Sequence, residues 1–256
     1  MGTVDLDARV RTIARFDDRP SGLGFLPDGS PIVALMDGRQ VMRVDGKGRS
    51  TAYADLRSIP AENLNDMIVD AAGRAYVDCI KNRPANSTAD VGDCIVMLKP
   101  NGEFQVVAQG GLHRPNGLVL TRDGRTLIAA ELPMHRLTAF DVGDDGSLTH
   151  GSTYAEVPDD LPDGICMDEE GAVWLASPWT RRFLRVLRGG QVTDSITLGE
   201  RQWATACVLG GDDRRTLFMT TARVPADPRP GMNGNLYESI GAILTTTVAV
   251  AGSGLP

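Results

Sequence analysis

The sequence holds only three histidines and four cysteines in 256 residues, and the cysteines, at 79, 94, 166 and 207, form no CxxC or CxxxC pair. Such spacing excludes the common zinc and dithiol-redox frameworks. Cys166 and Cys207 occupy equivalent apolar positions and read as buried small hydrophobes. Cys79 and Cys94 could meet across a hairpin but are read as free thiols, the usual state in a reducing compartment. No cluster of basic residues interleaved with aromatics occurs, and a net charge of −7 opposes a polyanionic partner, so nucleic acid is not expected. The longest apolar run, from Ile243 to Val250, is interrupted by Thr245, Thr246 and Thr247 and is far shorter than a membrane span. Met1-Gly2-Thr3-Val4-Asp5 opens the chain without a positive n-region or an apolar h-region, which makes the cytoplasm the expected location. Convincing helical periodicity is missing throughout. So is any Pro-, Ser- or charge-rich linker, and residues 1–256 read as one domain.

What is present is a repeat. Ser21-Gly22-Leu23, Asn65-Asp66-Met67, Asn116-Gly117-Leu118, Asp163-Gly164-Ile165 and Thr205-Ala206-Cys207 are five copies of one phrase, and 8 residues beyond each lead residue stand Gly29, Gly73, Gly124, Gly171 and Asp213. Within a copy, an apolar run such as Gly117 to Leu120, a turn at Asp123-Gly124 and a second run, Thr126 to Ala130, read as a hairpin. Further runs such as Gln40–Val44, Cys94–Leu98, Arg136–Phe140 and Arg182–Val186 supply a third strand, and another turn leads to a fourth. Four antiparallel strands per copy predict an all-β fold, a β-propeller with five countable blades. The last copy offers only three strands, so Val10 to Phe16 is expected to close the ring as its fourth. A remnant of a sixth blade, Gly2 to Asp7, is the alternative count. The lead residues enter the innermost strands and should ring one mouth of the channel.

With Leu64-Asn65-Asp66-Met67, Arg114-Pro115-Asn116-Gly117, Leu161-Pro162-Asp163-Gly164 and the late Leu209-Gly210-Gly211 with Thr216-Leu217-Phe218, the chain resembles the senescence marker protein 30 (regucalcin), gluconolactonase and luciferin-regenerating enzyme family over nearly its whole length. The resemblance implies a six-bladed propeller with one divalent cation in the channel. Asn116 and Asp163 match the family's metal-binding residues, Asp163 matches the carboxylate proposed as base, and Asn65 and Asp66 match a pair that contacts substrate and a cation-bound water. The family's remaining ligand, a glutamate in its first blade, has no counterpart here. Ser21 to Phe25 reads as the family's second blade, and Met1 to Phe16 as outer strands of a first blade without inner ones.

Oxygen donors of this type suit Ca²⁺ first, with Mg²⁺, Mn²⁺ or Zn²⁺ as alternatives. Metal: Asn116, Asp163 and Asn65; catalytic: Asp163 and Asp66, either of which could take a proton from water; substrate-binding: Asn65, Asp66, Arg114, Glu131, His113, His135 and Trp179. Glu131 is also the candidate to replace the missing carboxylate. Turn chemistry alone explains an isolated Asn-Gly or Asp-Gly, and Ser21, Thr205 and His150 are assigned no role in the site. The leading expectation is a metal-dependent hydrolase of a lactone or similar cyclic ester, with cation-activated water attacking the carbonyl in the channel. A non-catalytic binding propeller is the alternative, and a metal-free cyclase or isomerase of the strictosidine-synthase-like type comes third. The loops Lys81 to Asp93 and Ala222 to Tyr237 are expected to set selectivity.

Overall fold

The computed structural model describes residues 1–223 and 240–254 except Leu6, Ala8, Arg83, Ala85, Asn86 and His150. Most of the Ala222 to Tyr237 loop, and His150, therefore lie outside the described residues. Each copy of the repeat forms one antiparallel blade. Blade 1 is β3 (Pro20–Phe25), β4 (Pro31–Leu35), β5 (Gln40–Val44) and β6 (Ser50–Asp55), after β1 (Gly2–Val4) and β2 (Val10–Thr12). Blade 2 is β7 (Asn63–Val69), β8 (Ala75–Ile80), β9 (Cys94–Leu98) and β10 (Phe104–Gln109). Blade 3 is β11 (Pro115–Leu120), β12 (Thr126–Glu131), β13 (Arg136–Asp141) and β14 (Ser152–Glu156), with one 3₁₀ turn at Leu132–Met134. Blade 4 is β15 (Ile165–Met167), β16 (Val173–Ser177), β17 (Arg182–Val186) and β18 (Val192–Thr197). Blade 5 contains β19 (Gln202–Gly210), β20 (Thr216–Arg223) and β21 (Ile240–Thr247). The molecule is thus the β-propeller expected from the repeat.

The turns explain the fixed spacing. In blade 2, Asp70 Oδ1 accepts the N–H of Ala72 (2.9 Å) and of Arg74 (2.8 Å), and the chain reverses through Gly73 at φ +79°. A left-handed backbone favours glycine there.

Alternate residues on a strand face opposite sides, and a neighbouring blade covers each side in the middle of the ring. Four apolar clusters fill four seams. Ile32, Ala34 and Val41 of blade 1 meet Met67 and Val69 of blade 2. Ile68, Tyr76 and Met97 meet Leu118 and Leu120. Val119, Ile128 and Leu137 meet Ile165 and Met167, and Trp174 and Phe183 meet Cys207 and Met219. All four cysteines are buried and free; Cys79 and Cys94 are register partners, and Cys166 Sγ lies 3.8 Å from Cys207 Sγ.

The N-terminal strand does not join blade 5. Val10–Thr12 pairs with Gly2–Val4 instead, in a separate two-stranded sheet. The reason is local: Asp5 Oδ1 accepts the N–H of Asp7 (3.0 Å) and of Arg9 (2.9 Å), closing a short hairpin at a small loop-entropy cost. Met1, Ile13, Ala14 and Phe16 then pack on Val33 and Val44 of blade 1. This agrees with the expectation of outer strands without inner ones. Among the described residues no apolar cluster links blade 5 to blade 1. Leu23 and Phe25 are 42% and 44% exposed, whereas Met67 and Val69, at the same offsets in blade 2, are 3% and 4% exposed. Val208 and Ile243 of blade 5 are exposed as well. After β21 the chain passes under blades 5 and 4, where Gly252 N–H donates to Arg214 O (2.8 Å) and Ser253 N–H to Met167 O (3.1 Å).

Candidate functional site

Five lead residues, Ser21, Asn65, Asn116, Asp163 and Thr205, enter the inner strands from one side of the ring and are all partly exposed there. Their spacing is set by backbone contact. Gly117 N–H donates to Asp163 O (3.2 Å), and Gly164 N–H donates to Thr205 O (3.0 Å). A Cβ on Gly22 would come within 2.6 Å of Met67 N, one on Gly117 within 2.5 Å of Ile165 N, and one on Gly164 within 2.6 Å of Ala206 Cα. Glycine after the lead residue therefore lets each lead loop lie directly on the next. Blade 2 breaks the rule with Asp66, whose Oδ1 accepts the N–H of Met67 (2.8 Å) and whose Oδ2 accepts that of Leu118 (3.3 Å), tying blade 2 to blade 3.

Electrostatics joins the predicted residues into one group. Asp163 is pushed up to about 7, first by burial and then by the charge of Asp66, with Arg114 and a hydrogen bond from the Asn116 side chain working against the rise. Burial raises Asp66 to about 6 against the pull of its two backbone N–H donors. Both residues are partly exposed while their carboxyls lie deep among protein atoms, so burial sets the direction of each shift. Asp66, Asn116, Asp163 and Arg114 thus share one environment.

A profile of the SMP-30/gluconolactonase/LRE-like region matches residues 2–223. The chain belongs to that family. It is 27% identical over 237 residues to the 6-deoxy-6-sulfogluconolactonase of Pseudomonas putida, spanning 91% of this chain and 78% of the relative. In fold it resembles a gluconolactonase of Xanthomonas campestris (TM-score 0.71, 24% identity, 85% of this chain and 74% of that one). It also resembles the calcium-binding protein regucalcin of Agrobacterium tumefaciens (TM-score 0.75, 19% identity, 97% of this chain and 81% of that one).

For an SMP-30/gluconolactonase/LRE-like chain the donor set is sparse. Among the described residues, no three His, Cys, Asp or Glu side chains converge as a metal cluster. Asp163 with the amide oxygens of Asn116 and Asn65 still offers the neutral and anionic oxygens that a hard cation accepts.

Other predicted residues are committed elsewhere. Glu131 does not replace the missing carboxylate: it is fully buried, and it accepts the N–H of His113 (2.8 Å), Arg136 Nε (2.6 Å) and the Thr138 hydroxyl. Its lone pairs stitch the mouth end of blade 3, and its burial keeps it from substrate. His135, the left-handed residue after the 3₁₀ turn, hydrogen-bonds through Nδ1 to Asp160 O (2.7 Å). His113 is half-buried with Nδ1 unpartnered, and Arg114 donates its backbone N–H to Asp93 Oδ2 (2.6 Å). Trp179 sits half-buried in the turn after β16, at the mouth end of blade 4. Sequence reasoning missed Asp78, a fully buried carboxylate of β8 that stands beside Asp66. A comparison of second strands would have found it, since β4, β12 and β16 carry Ala34, Ala130 and Ala176 at that place.

Proposed function

We propose that this propeller hydrolyses a lactone, of the sugar-acid class named for its relatives, in the channel mouth formed by blades 2, 3 and 4. The carrying observation is the convergence of Asp163, Asn116, Asp66 and Arg114, in which Asp163 is pushed up to about 7. A base tuned near neutral pH is matched to accepting a proton from water. Asp163 takes that proton as the water oxygen attacks the carbonyl carbon. The ring C–O bond then breaks, and Asp163 returns the proton to the leaving alkoxide, giving the open hydroxy acid. Arg114, the cation that acts on Asp163, would hold the carbonyl oxygen and then the product carboxylate. Asn65 and Asn116 orient the ring hydroxyls or the carbonyl, and Asp66 keeps Asp163 from ionising too early. A divalent cation, Ca²⁺ by donor type, would be held by Asp163, Asn116 and Asn65 and would supply Lewis-acid polarisation of the carbonyl.

The test is turnover of gluconolactone by the purified chain. D163A and N116A should each lower kcat by about a thousandfold, and a chelator should do the same. Activity that survives both substitutions overturns the reading. The sparse donor set favours, as a second reading, a propeller that binds without catalysis. Calorimetry with Ca²⁺, Mg²⁺, Mn²⁺ and Zn²⁺ separates the two, since a propeller that binds none of them and turns over no lactone belongs to the second.

A further inference from the structure

Each inner strand carries a bulge at its lead residue, and one residue of the second strand stands opposite it. That residue is Ala34 in blade 1, Ala130 in blade 3 and Ala176 in blade 4, with Thr220 in blade 5. In blade 2 it is Asp78, opposite Asn65 and Asp66. The residue after the lead is Gly22, Gly117 and Gly164 in blades 1, 3 and 4, Ala206 in blade 5, and Asp66 in blade 2. Blade 2 therefore departs from the repeat at two facing positions, each time with a carboxylate.

The two departures are bonded to one another. Asp66 N–H donates to Asp78 Oδ1, and the Asn65 side chain lies beside the same carboxyl group. Asp78 is fully buried, and its Oδ2 has no hydrogen-bond partner. An unpaired buried carboxylate oxygen is costly. Packing does not call for it, because the bulges of blades 1, 3 and 4 close over alanine. Blade 2 differs in what its bulge carries: an amide and a carboxylate, where its neighbour blade 1 carries Ser21 and Gly22.

We propose that Asp78 is a positioning residue for the channel site, gripping the Asn65–Asp66 peptide so that the Asn65 amide and the Asp66 carboxylate hold their places beside Asn116 and Asp163. It acts through those residues and touches no reactant. A bulge without this grip can rotate its lead peptide, and misplacement by about 1 Å costs on the order of a hundredfold in rate. The kinetic part of the inference rests on the lactone-hydrolase reading.

The test compares D78A with D78N in the full chain. Alanine is what three other blades place there, so D78A is expected to fold, and D78T, the residue of blade 5, is the second variant. D78A should lower kcat on gluconolactone about a hundredfold while KM changes less than about threefold. D78N keeps an acceptor oxygen and should recover kcat to within about fivefold of wild type, whatever its melting temperature. Equal losses in D78A and D78N, or no loss in D78A and D78T, overturn the proposal. If the wild type turns over no lactone, the hydrolase reading fails and two other readouts decide. The Asp66 amide should exchange its proton faster in D78A but not in D78N, and calorimetric affinity for Ca²⁺ should fall about tenfold in D78A alone. Unchanged exchange in D78A overturns the proposal on its own.

Discussion

Blades 2, 3 and 4 differ from blades 1 and 5 in two ways that coincide. The middle three are covered on both faces by neighbouring blades, and their lead residues are Asn65, Asn116 and Asp163 with Asp66. The outer two each leave an apolar face exposed, at Leu23 and Phe25 or at Val208 and Ile243, and their lead residues are Ser21 and Thr205. Amides and carboxylates are thus carried where the backbone is clamped from both sides, and weakly ligating hydroxyls where it is clamped from one. Holding like charges together needs a rigid frame, because any freedom would let Asp66 and Asp163 move apart.

The largest effect should come from exchanging a lead residue. D163A should remove about a thousandfold in kcat, while T205A and S21A should stay within about threefold of wild type, measured by lactone turnover. Comparable losses in all three would dissolve the distinction between middle and outer blades. Packing comes next. Met67→Ala, in a closed seam, should cost about 2–5 kcal/mol in denaturant unfolding, whereas Leu23→Ala at the same offset should cost less than about 1 kcal/mol. Equal costs would mean that the exposed face is covered in solution. A smaller effect concerns pH. Folding raises Asp163 and Asp66 above the usual carboxylate range, so between about pH 4 and pH 7 the folded state holds more protons than the unfolded one, and stability falls as pH rises through that window. Without added cation, D163N should melt higher than wild type at pH 8, and the difference should vanish near pH 4. Leu23→Ser should be the mildest, with little change in melting and weaker binding of a hydrophobic dye.

The fold was legible because its spacing is physical. A left-handed turn residue must follow each inner strand, and this put Gly29, Gly73, Gly124 and Gly171 in register before any strand was assigned. The site was legible in part for the same reason, since leads in one register enter one mouth. Glu131 misled because a strand-end position does not say which way a side chain turns. Arg136 and Thr138 on the next strand captured it. Asp78 was hidden inside Ala75 to Ile80, which reads as an apolar strand, and only its contrast with the alanines of other blades marks it. The pairing of Val10–Thr12 was misjudged because an edge strand can be completed by many partners, and the nearest in sequence won.

The glycines behind the lead residues give the mouth a mechanical property. Gly117 leaves no clearance: a Cβ there would lie 2.6 Å from Asp163 O. One added methyl at 117 would therefore act as a shim, pressing blade 4 outward and carrying Asp163 with it. The aperture of the mouth can be adjusted from behind, without altering any polar group that lines it.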